Sequence, residues 1–355
     1  MSEPHTHNRH AVGVMTGTSI DAIDASLVRL EGHGLNIRAK LVRHVSQALG
    51  LLEPRMRAAA DQQPMTAGAF AALAWDFGLL HAEVIVRCVG ADGALHEKLN
   101  LICCHGQTVY HKPPVSWQLL NPAPIAYRFR CPVICDLRQA DLAAGGQGAP
   151  ITPIADWVLF RSQNASRAII NLGGFCNITL LPKEVADASD EGVRSQLEEI
   201  RGFDVCACNH ILNAVARAVL NTPYDEDGAA ALKGRAPERF VAALLEMLTE
   251  QRQAGRSLGT SDELADFLQP WMDHARPDDL AAGAVEAVAR CITDRLQSEH
   301  VDELVLAGGG GHNRALVKAI AHWAGRPVML TSDLGVPISA RESMCFAVLG
   351  GLSAD

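Results

Sequence analysis

The sequence predicts an α/β protein made of two related domains, on three observations. An apolar segment at 12–15, a turn-rich stretch at 16–19 and a second apolar segment at 25–30 are typical of a strand, a loop and a strand, and the arrangement recurs at 168–181. A chain of 355 residues, 48% of them hydrophobic, is long enough for two such domains. Ala-rich segments with helical periodicity lie at 66–90, 210–220, 237–253 and 278–299.

The domain boundary is predicted at the glycine-rich stretch 145–150, because glycines interrupt regular structure and the second hairpin follows soon after. We therefore expect an N-terminal domain and a C-terminal domain, preceded by a disordered tail. A last helix is expected to pack back on the first domain. The predicted bounds are 1–10 for the tail, 11–144 and 145–338 for the two domains, and 339–355 for the helix.

Charge and hydropathy favour a small-molecule partner. The formal net charge is -9, and Lys and Arg are scattered, which argues against a nucleic-acid or anionic-membrane surface. The polar start has no apolar core of signal-peptide length, and no later stretch is expected to be long enough to span a bilayer. We therefore expect a cytoplasmic protein.

The ten cysteines are interpreted as reduced core residues, because most lie in apolar runs. The pairs Cys131 with Cys135 and Cys206 with Cys208 lack a second pair at zinc-finger separation, so a structural zinc site is not expected.

Two loops indicate a polyphosphate ligand, because the backbone N–H groups of Gly, Ser and Thr turns donate to anions. Hydroxyls can also hold phosphate, and a carboxylate can hold hydrated Mg²⁺, for which Asp21 is the candidate. A polar hairpin turn is the alternative. The predicted residues are Gly17, Thr18, Ser19, Ile20, Asp21, Ala22, Ile23 and Asp24 in the first loop, and Asn171, Gly173, Gly174 and Asn177 in the second.

A third glycine-rich loop follows the apolar strand that ends at 307, and its glycines would let an adenosine lie against the backbone. A strand-to-helix turn that needs positive φ is the alternative. The predicted residues are Gly308, Gly309, Gly310 and Asn313.

A dense set of hydrogen-bonding side chains at 105–113 suits the hydroxyl groups of a sugar. Either histidine alone would be interpreted as a surface or capping residue. The candidates are His105, Gln107, Thr108 and His111.

Six motifs occur in the order found in the anhydro-N-acetylmuramic acid kinases, which the chain resembles from about Gly13 to Leu352. They are GTSIDAID at 17–24, HGQTVYHKP at 105–113, AAGGQGAP at 143–150, NLGGFCNIT at 171–179, YDEDG at 224–228 and AGGGGHN at 307–313. The segment 334–347 also resembles the family's closing motif.

The resemblance implies a two-domain actin-like ATPase fold, a duplicated ribonuclease H-like architecture with an interdomain cleft, and a homodimer. It implies an enzyme that uses ATP and Mg²⁺ to cleave the 1,6-anhydro bond of anhydro-N-acetylmuramic acid and phosphorylate O6. Asp204 matches the catalytic aspartate, which would take a proton from the attacking water. Glu342 matches the glutamate of the closing motif, and Gln147 joins the predicted sugar-binding residues.

Departures from the family cluster near Asp204. The family's FDTGPGN is FDVCACN at 203–209, its QxGDP is QLLNP at 118–122, and its KSTGRE region is represented only by 257–260. If the lost glycines held positive φ, Ala and Cys there would cost about 1 kcal/mol or more each.

Two hypotheses follow from these departures. Either the chain is an active kinase with a retuned sugar pocket, or it is a degenerate paralogue that binds nucleotide or sugar. Retention of Asp204, Asn209 and Glu342 favours activity.

Overall fold

The computed structural model consists of two units, which are Met1–Phe160 with Ser339–Asp355 (unit 1) and Arg161–Ile338 (unit 2). It describes residues 8–17, 19–90, 99–185, 190–253 and 261–355. The boundary lies after Phe160, later in the chain than the predicted 144/145 junction. Residues 8–10, predicted above as part of a disordered tail, belong to the strand that begins at Asn8.

Unit 1 contains a five-stranded sheet of order β3-β2-β1-β4-β7 and a separate two-stranded sheet of β5 and β6. Its strands are β1 (Asn8–Thr16), β2 (Ala22–Glu31), β3 (Arg38–Ala48), β4 (Leu99–Cys104), β5 (Gln107–Lys112), β6 (Val115–Leu119) and β7 (Val133–Ile134). Its helices are α1 (Glu53–Ala60), α2 (Ala67–Val89), α3 (Ala123–Phe129), α4 (Leu137–Ala143), α5 (Pro153–Phe160) and the C-terminal helix (Arg341–Ala354).

Unit 2 repeats this topology, with a five-stranded sheet of order β10-β9-β8-β11-β12. Its strands are β8 (Arg167–Leu172), β9 (Phe175–Leu181), β10 (Arg201–Ala207), β11 (Glu303–Ala307) and β12 (Val328–Leu330). Its helices are α6 (Asp190–Glu198), α7 (Asn209–Val215), α8 (Glu238–Gln253), α9 (Ser261–Met272), α10 (Pro277–Arg295) and α11 (Arg314–Ala324). Both sheets pair their first three strands antiparallel and the others parallel, so the predicted duplication is confirmed.

Helix α2 covers one face of the unit 1 sheet, and its buried side chains include Leu73, Phe77, Val84 and Ile85. The helix is long and apolar enough to cross a membrane by length and composition, so the expectation that no stretch reaches that length is wrong. In the most apolar 18-residue stretch of α2, 44% of the stretch is buried inside the molecule.

The C-terminal helix packs on the other face of this sheet, where its backbone comes very close to β1. A Cβ atom on Gly13 would lie 1.9 Å from the Ser343 carbonyl oxygen, so no residue larger than glycine fits at position 13.

A buried ion pair joins this helix to α5. Arg341 and Asp156 are 1% and 0% exposed, and Arg341 Nε donates to Asp156 Oδ1 at 2.9 Å. Thr152 Oγ1 accepts from Arg341 Nη2 at 3.1 Å and donates to Asp156 Oδ2 at 3.2 Å. This network holds α5 in unit 1, which explains why the boundary falls after Phe160 and not at the preceding glycines.

We expect Asp156→Asn to lower the free energy of unfolding by about 3–5 kcal/mol, because it leaves the Arg341 charge buried without a counter-charge. Urea denaturation followed by circular dichroism measures this. Asp76→Asn is the matched control, since Asp76 pairs with Arg55 at 2.8 Å while both side chains are more than two-fifths exposed. That change should cost less than about 1 kcal/mol. Equal losses in the two variants would contradict the role of the buried pair.

Candidate functional site

The loop between β1 and β2 is a tight turn in which Ile20 N donates to Gly17 O at 3.2 Å. Ile20 has φ of 55°, a left-handed conformation that costs a β-branched residue free energy and that is found most often at functional sites. Ser19 Oγ donates to Asp21 Oδ1 at 2.5 Å, and both residues are exposed. Thr18 lies outside the described residues.

Four of the eight predicted phosphate-binding residues of this loop are two isoleucines and two aspartates. Ile20 and Ile23 are buried in the apolar core on the α2 side of the sheet. Asp21 and Asp24 are the two carboxylates, and Asp24 is partly buried. Burial raises the pKa of Asp24, a hydrogen bond with Ser46 opposes this shift, and the Asp21 charge adds to it.

The two glycine-rich loops of unit 2 meet at the carboxyl ends of the parallel strands β8 and β11. Gly308 has φ of +78°, and a Cβ atom there would lie 2.6 Å from Asn171 Oδ1. A Cβ atom on Gly310 would lie 2.7 Å from Leu172 Cβ. The two loops therefore pack directly against each other, and a side chain at position 308 would collide with Asn171 and Leu172.

The turn at 173–174 is tied to the start of α7. Asn209 N donates to Gly173 O at 3.0 Å, and Cys208 N donates to Gly174 O at 2.8 Å. Asn209 Nδ2 also donates to Leu172 O at 3.0 Å. Asn209 therefore fixes the shape of this turn.

Asn313, predicted to contact adenosine, serves as the N-cap of α11, because its Oδ1 accepts from Leu316 N at 3.0 Å. Gly228 packs against the same Oδ1, which a Cβ atom on Gly228 would approach to 2.2 Å. Gly228 belongs to the segment 224–228, whose role the sequence did not indicate.

Asp204 lies on β10, the edge strand of the unit 2 sheet, and is exposed. Its register partner on β9 is Asn177, and the pairing register shifts between Asp204 and Cys206. Asp204 therefore lies on the strand that is followed directly by Cys208 and Asn209, whose backbone N–H groups donate to the 173–174 turn.

The divergent segment Val205, Cys206, Ala207 and Cys208 is buried in the unit 2 core, and none of these four described residues has positive φ. The condition under which Cys at these positions would cost free energy, a positive φ, is therefore not met. Burial raises the pKa of the Cys208 thiol to about 12. A hydrogen bond with Cys291 and then burial raise the pKa of Cys206. Both thiols remain protonated and act as small apolar side chains.

His105, predicted to contact the sugar, is buried and uses both ring nitrogens. Arg138 Nε donates to Nε2 at 2.8 Å, and Nδ1 donates to the Gly106 carbonyl oxygen at 2.9 Å. Burial and the adjacent Arg138 charge lower the pKa of His105 to about 3, so the ring is neutral. Gln107 is also buried, and its Oε1 has no hydrogen-bond partner among the described residues.

Thr108 and His111 belong to one hydrogen-bonded network on the β5–β6 hairpin. His111 Nδ1 lies 2.9 Å from Ser116 Oγ. Gln118 Nε2 donates to Ser116 Oγ at 2.9 Å and to Thr108 Oγ1 at 3.3 Å. The hairpin therefore fixes two of the predicted sugar-binding side chains relative to each other.

Helix α4 holds the loop that carries the exposed Gln147. Arg138 Nη1 donates to Gly148 O at 2.7 Å, and Gly148 N donates to Asp141 Oδ2 at 2.7 Å. A Cβ atom on Gly148 would lie 3.3 Å from His111 Cε1. Arg138 thus connects the loops of His105 and Gln147, a role that sequence reasoning missed although Arg138 precedes the 145–148 glycines.

Glu342 is partly buried in the first turn of the C-terminal helix, where unpaired backbone N–H groups stabilise a carboxylate. Its neighbour Arg341 is fixed by Asp156, so the ion pair also fixes the position of Glu342.

Among the residues that the structure describes, no group of three or more His, Cys, Asp or Glu side chains could hold a metal ion. The predicted segment 257–260 lies outside the described residues.

Comparison with known proteins gives the family. The model of the family "Anhydro-N-acetylmuramic acid kinase" matches residues 9–354. A protein of that name from Salinibacter ruber is 31% identical, over 96% of this chain and 89% of its own. Another, from Synechococcus sp. (strain CC9605), is 34% identical, over 96% of this chain and 92% of its own.

Among solved structures, (R)-2-hydroxyglutaryl-CoA dehydratase component A from Acidaminococcus fermentans matches with a TM-score of 0.52. It is 12% identical, over 98% of this chain and 99% of its own, and it supports the α/β fold alone. Because the family model spans nearly the whole chain and relatives exceed 30% identity, this chain belongs to the anhydro-N-acetylmuramic acid kinase family.

Proposed function

We propose that this protein is an ATP-dependent kinase that hydrolyses the 1,6-anhydro bond of anhydro-N-acetylmuramic acid and phosphorylates O6, which yields N-acetylmuramic acid 6-phosphate. The observation that carries the proposal is the match to this kinase family over residues 9–354, with Asp204 retained and exposed on β10. We further propose that the enzyme works in the cytoplasm as a homodimer.

Asp204 would act as the general base. Its carboxylate takes a proton from water, the water oxygen bonds to the anomeric carbon, and the bond from that carbon to O6 breaks. O6 then bonds to the γ-phosphorus of ATP while the bond from that phosphorus to the ADP oxygen breaks.

Phosphate binding would use backbone N–H groups at 17–24 and 171–177, and the adenosine would lie against the glycine backbone at 308–310. Mg²⁺ would supply charge neutralisation when bound with ATP, and the exposed Ser19 and Asp21 offer oxygen ligands of the kind that it prefers.

The sugar would bind to the hydrogen-bonded groups of unit 1. Thr108, His111 and Gln147 would contact its hydroxyl groups, whereas His105 would support the site through Arg138. Glu342 would orient the sugar or the attacking water.

An anhydrosugar other than anhydro-N-acetylmuramic acid is the second candidate substrate. Asn121 stands where the family has Asp, and its Oδ1 accepts from Ala123 N, the first backbone N–H of α3, at 3.0 Å. A panel that includes levoglucosan and ordinary amino sugars separates these candidates by phosphate transfer from radiolabelled ATP.

Asp204→Asn should lower kcat about 10²–10⁴-fold with little change in ATP affinity, because the amide cannot accept the proton from water. Phosphate transfer gives kcat, and calorimetry gives the dissociation constant of ATP. Asp302→Asn is the control, since Asp302 precedes β11 at the opposite end of the sheet from Gly308 and contacts Ser166. Comparable turnover in Asp204→Asn and wild type would exclude Asp204 as the base.

Gly308→Ala should weaken ATP binding about tenfold or more, because it adds a close contact with Asn171 to the strain of positive φ. Gly325→Ala is the matched control. Gly325 has φ of +62°, and nothing lies within 4 Å of its Cβ position. The control should lose about 1 kcal/mol of stability and bind ATP normally. Unchanged ATP affinity in Gly308→Ala would argue against a nucleotide at this loop.

A further inference from the structure

A layer of polar side chains joins the C-terminal helix to the phosphate-binding hairpin inside unit 1. Ser343 Oγ lies 2.7 Å from Ser26 Oγ, and Ser26 Oγ lies 3.1 Å from His44 Nδ1. His44 Nε2 lies 3.7 Å from Asp24 Oδ1. The layer therefore begins next to Glu342 and ends at a carboxylate of the hairpin.

Strand geometry places these groups on one face of the sheet. Asp24 and Ser26 alternate with buried apolar residues on β2, so both face the C-terminal helix. On β3, His44 is the register partner of Ser26, and Ser46 is the register partner of Asp24. Two side chains of the edge strand thus lie beside the Asp24 carboxylate.

The order of donors fixes the tautomer of His44. Ser343 Oγ donates to the Ala340 carbonyl oxygen at 3.1 Å, so it accepts from the Ser26 hydroxyl. The Ser26 oxygen must then accept, and His44 Nδ1 is the donor.

The remaining nitrogen of His44 is an acceptor. Burial lowers the pKa of His44, a shift that a backbone hydrogen bond with Ala25 opposes, so the ring is neutral near pH 7. Its Nε2 is buried and has no hydrogen-bond partner within the part of the chain that the structure describes. It faces Asp24 Oδ1, another acceptor, so the two atoms do not bond to each other.

We propose that His44 is a positioning residue for Asp24, a carboxylate of the phosphate-binding hairpin. Repulsion between the Nε2 lone pair and the carboxylate keeps Asp24 off the imidazole ring, so that the carboxylate stays on its hydrogen bond with Ser46. Ser26 hydrogen-bonds both His44 Nδ1 and Ser343 Oγ, so the position of the C-terminal helix influences the position of the His44 ring and, through it, that of Asp24. This inference rests on the proposed binding of Mg²⁺·ATP by residues 17–24.

The test is a double-mutant cycle of His44→Leu and Asp24→Asn in the full chain, with calorimetric titration of Mg²⁺·ATP and with phosphate transfer. His44→Leu alone should weaken Mg²⁺·ATP binding about tenfold and leave the KM of the sugar unchanged. In the Asp24→Asn background the same change should have little further effect, because His44 acts through Asp24. A merely structural role would give additive effects.

His33→Leu is the matched control, since His33 Nε2 lies 3.4 Å from Asp355 Oδ1 in the same unit but is exposed. It should bind Mg²⁺·ATP as wild type does. His44→Gln, which keeps a donor for Ser26, replaces His44→Leu in the cycle if the leucine variant does not fold.

Wild-type affinity in His44→Leu, or additive effects in the cycle, would overturn the positioning role. Coupled effects on Mg²⁺·ATP binding without phosphate transfer to any sugar would overturn the proposed kinase activity and support the role of His44. If the wild-type protein binds no Mg²⁺·ATP, both proposals fail.

Discussion

The packing of the C-terminal helix on the sheet is the constraint on which the rest of unit 1 depends. The helix backbone reaches β1 because Gly13 has no side chain, and in the first turn of the same helix Arg341 is buried with Asp156. Burying two charges costs free energy that is offset only when the pair and its remaining hydrogen bonds keep good geometry. The helix therefore has one favourable position, and this position also fixes Glu342 and Ser343, which lie in its first turn.

The two units have the same strand order, but they support their ligand-binding loops differently. In unit 2 the parallel strands β8 and β11 end side by side, so Asn171 and Gly308 meet without intervening side chains. In unit 1 the hairpin after β1 adjoins a polar layer that includes Ser26 and His44. The topology specifies where each loop lies, and local side chains determine what it can hold.

Local patterns in the sequence were sufficient to predict the duplicated hairpins and the main helices. These patterns depend only on residues that are neighbours along the chain, so they can be read from the sequence alone. The helix predicted at 66–90, for example, is observed as Ala67–Val89. The predicted helix at 210–220 ends in a π-helical turn, Ala216–Leu220, which its periodicity did not indicate.

Contacts between distant residues could not be predicted in this way. The domain boundary depends on Asp156 meeting Arg341, and the environment of His105 depends on Arg138, which lies beyond a hairpin and a helix. Whether Cys206 and Cys208 need positive φ could likewise not be predicted from the sequence, and the structure gives both residues negative φ, where β10 ends and α7 begins.

The discontinuity of unit 1 has a consequence for biosynthesis. Unit 2 is one continuous segment, whereas the helix Arg341–Ala354 of unit 1 is translated only after the whole of unit 2. During translation the face of β1 around Gly13 stays uncovered while the whole of unit 2 is made. The second unit along the chain can thus complete its fold before the first, and a nascent chain arrested before Ser339 would leave that face of the sheet uncovered.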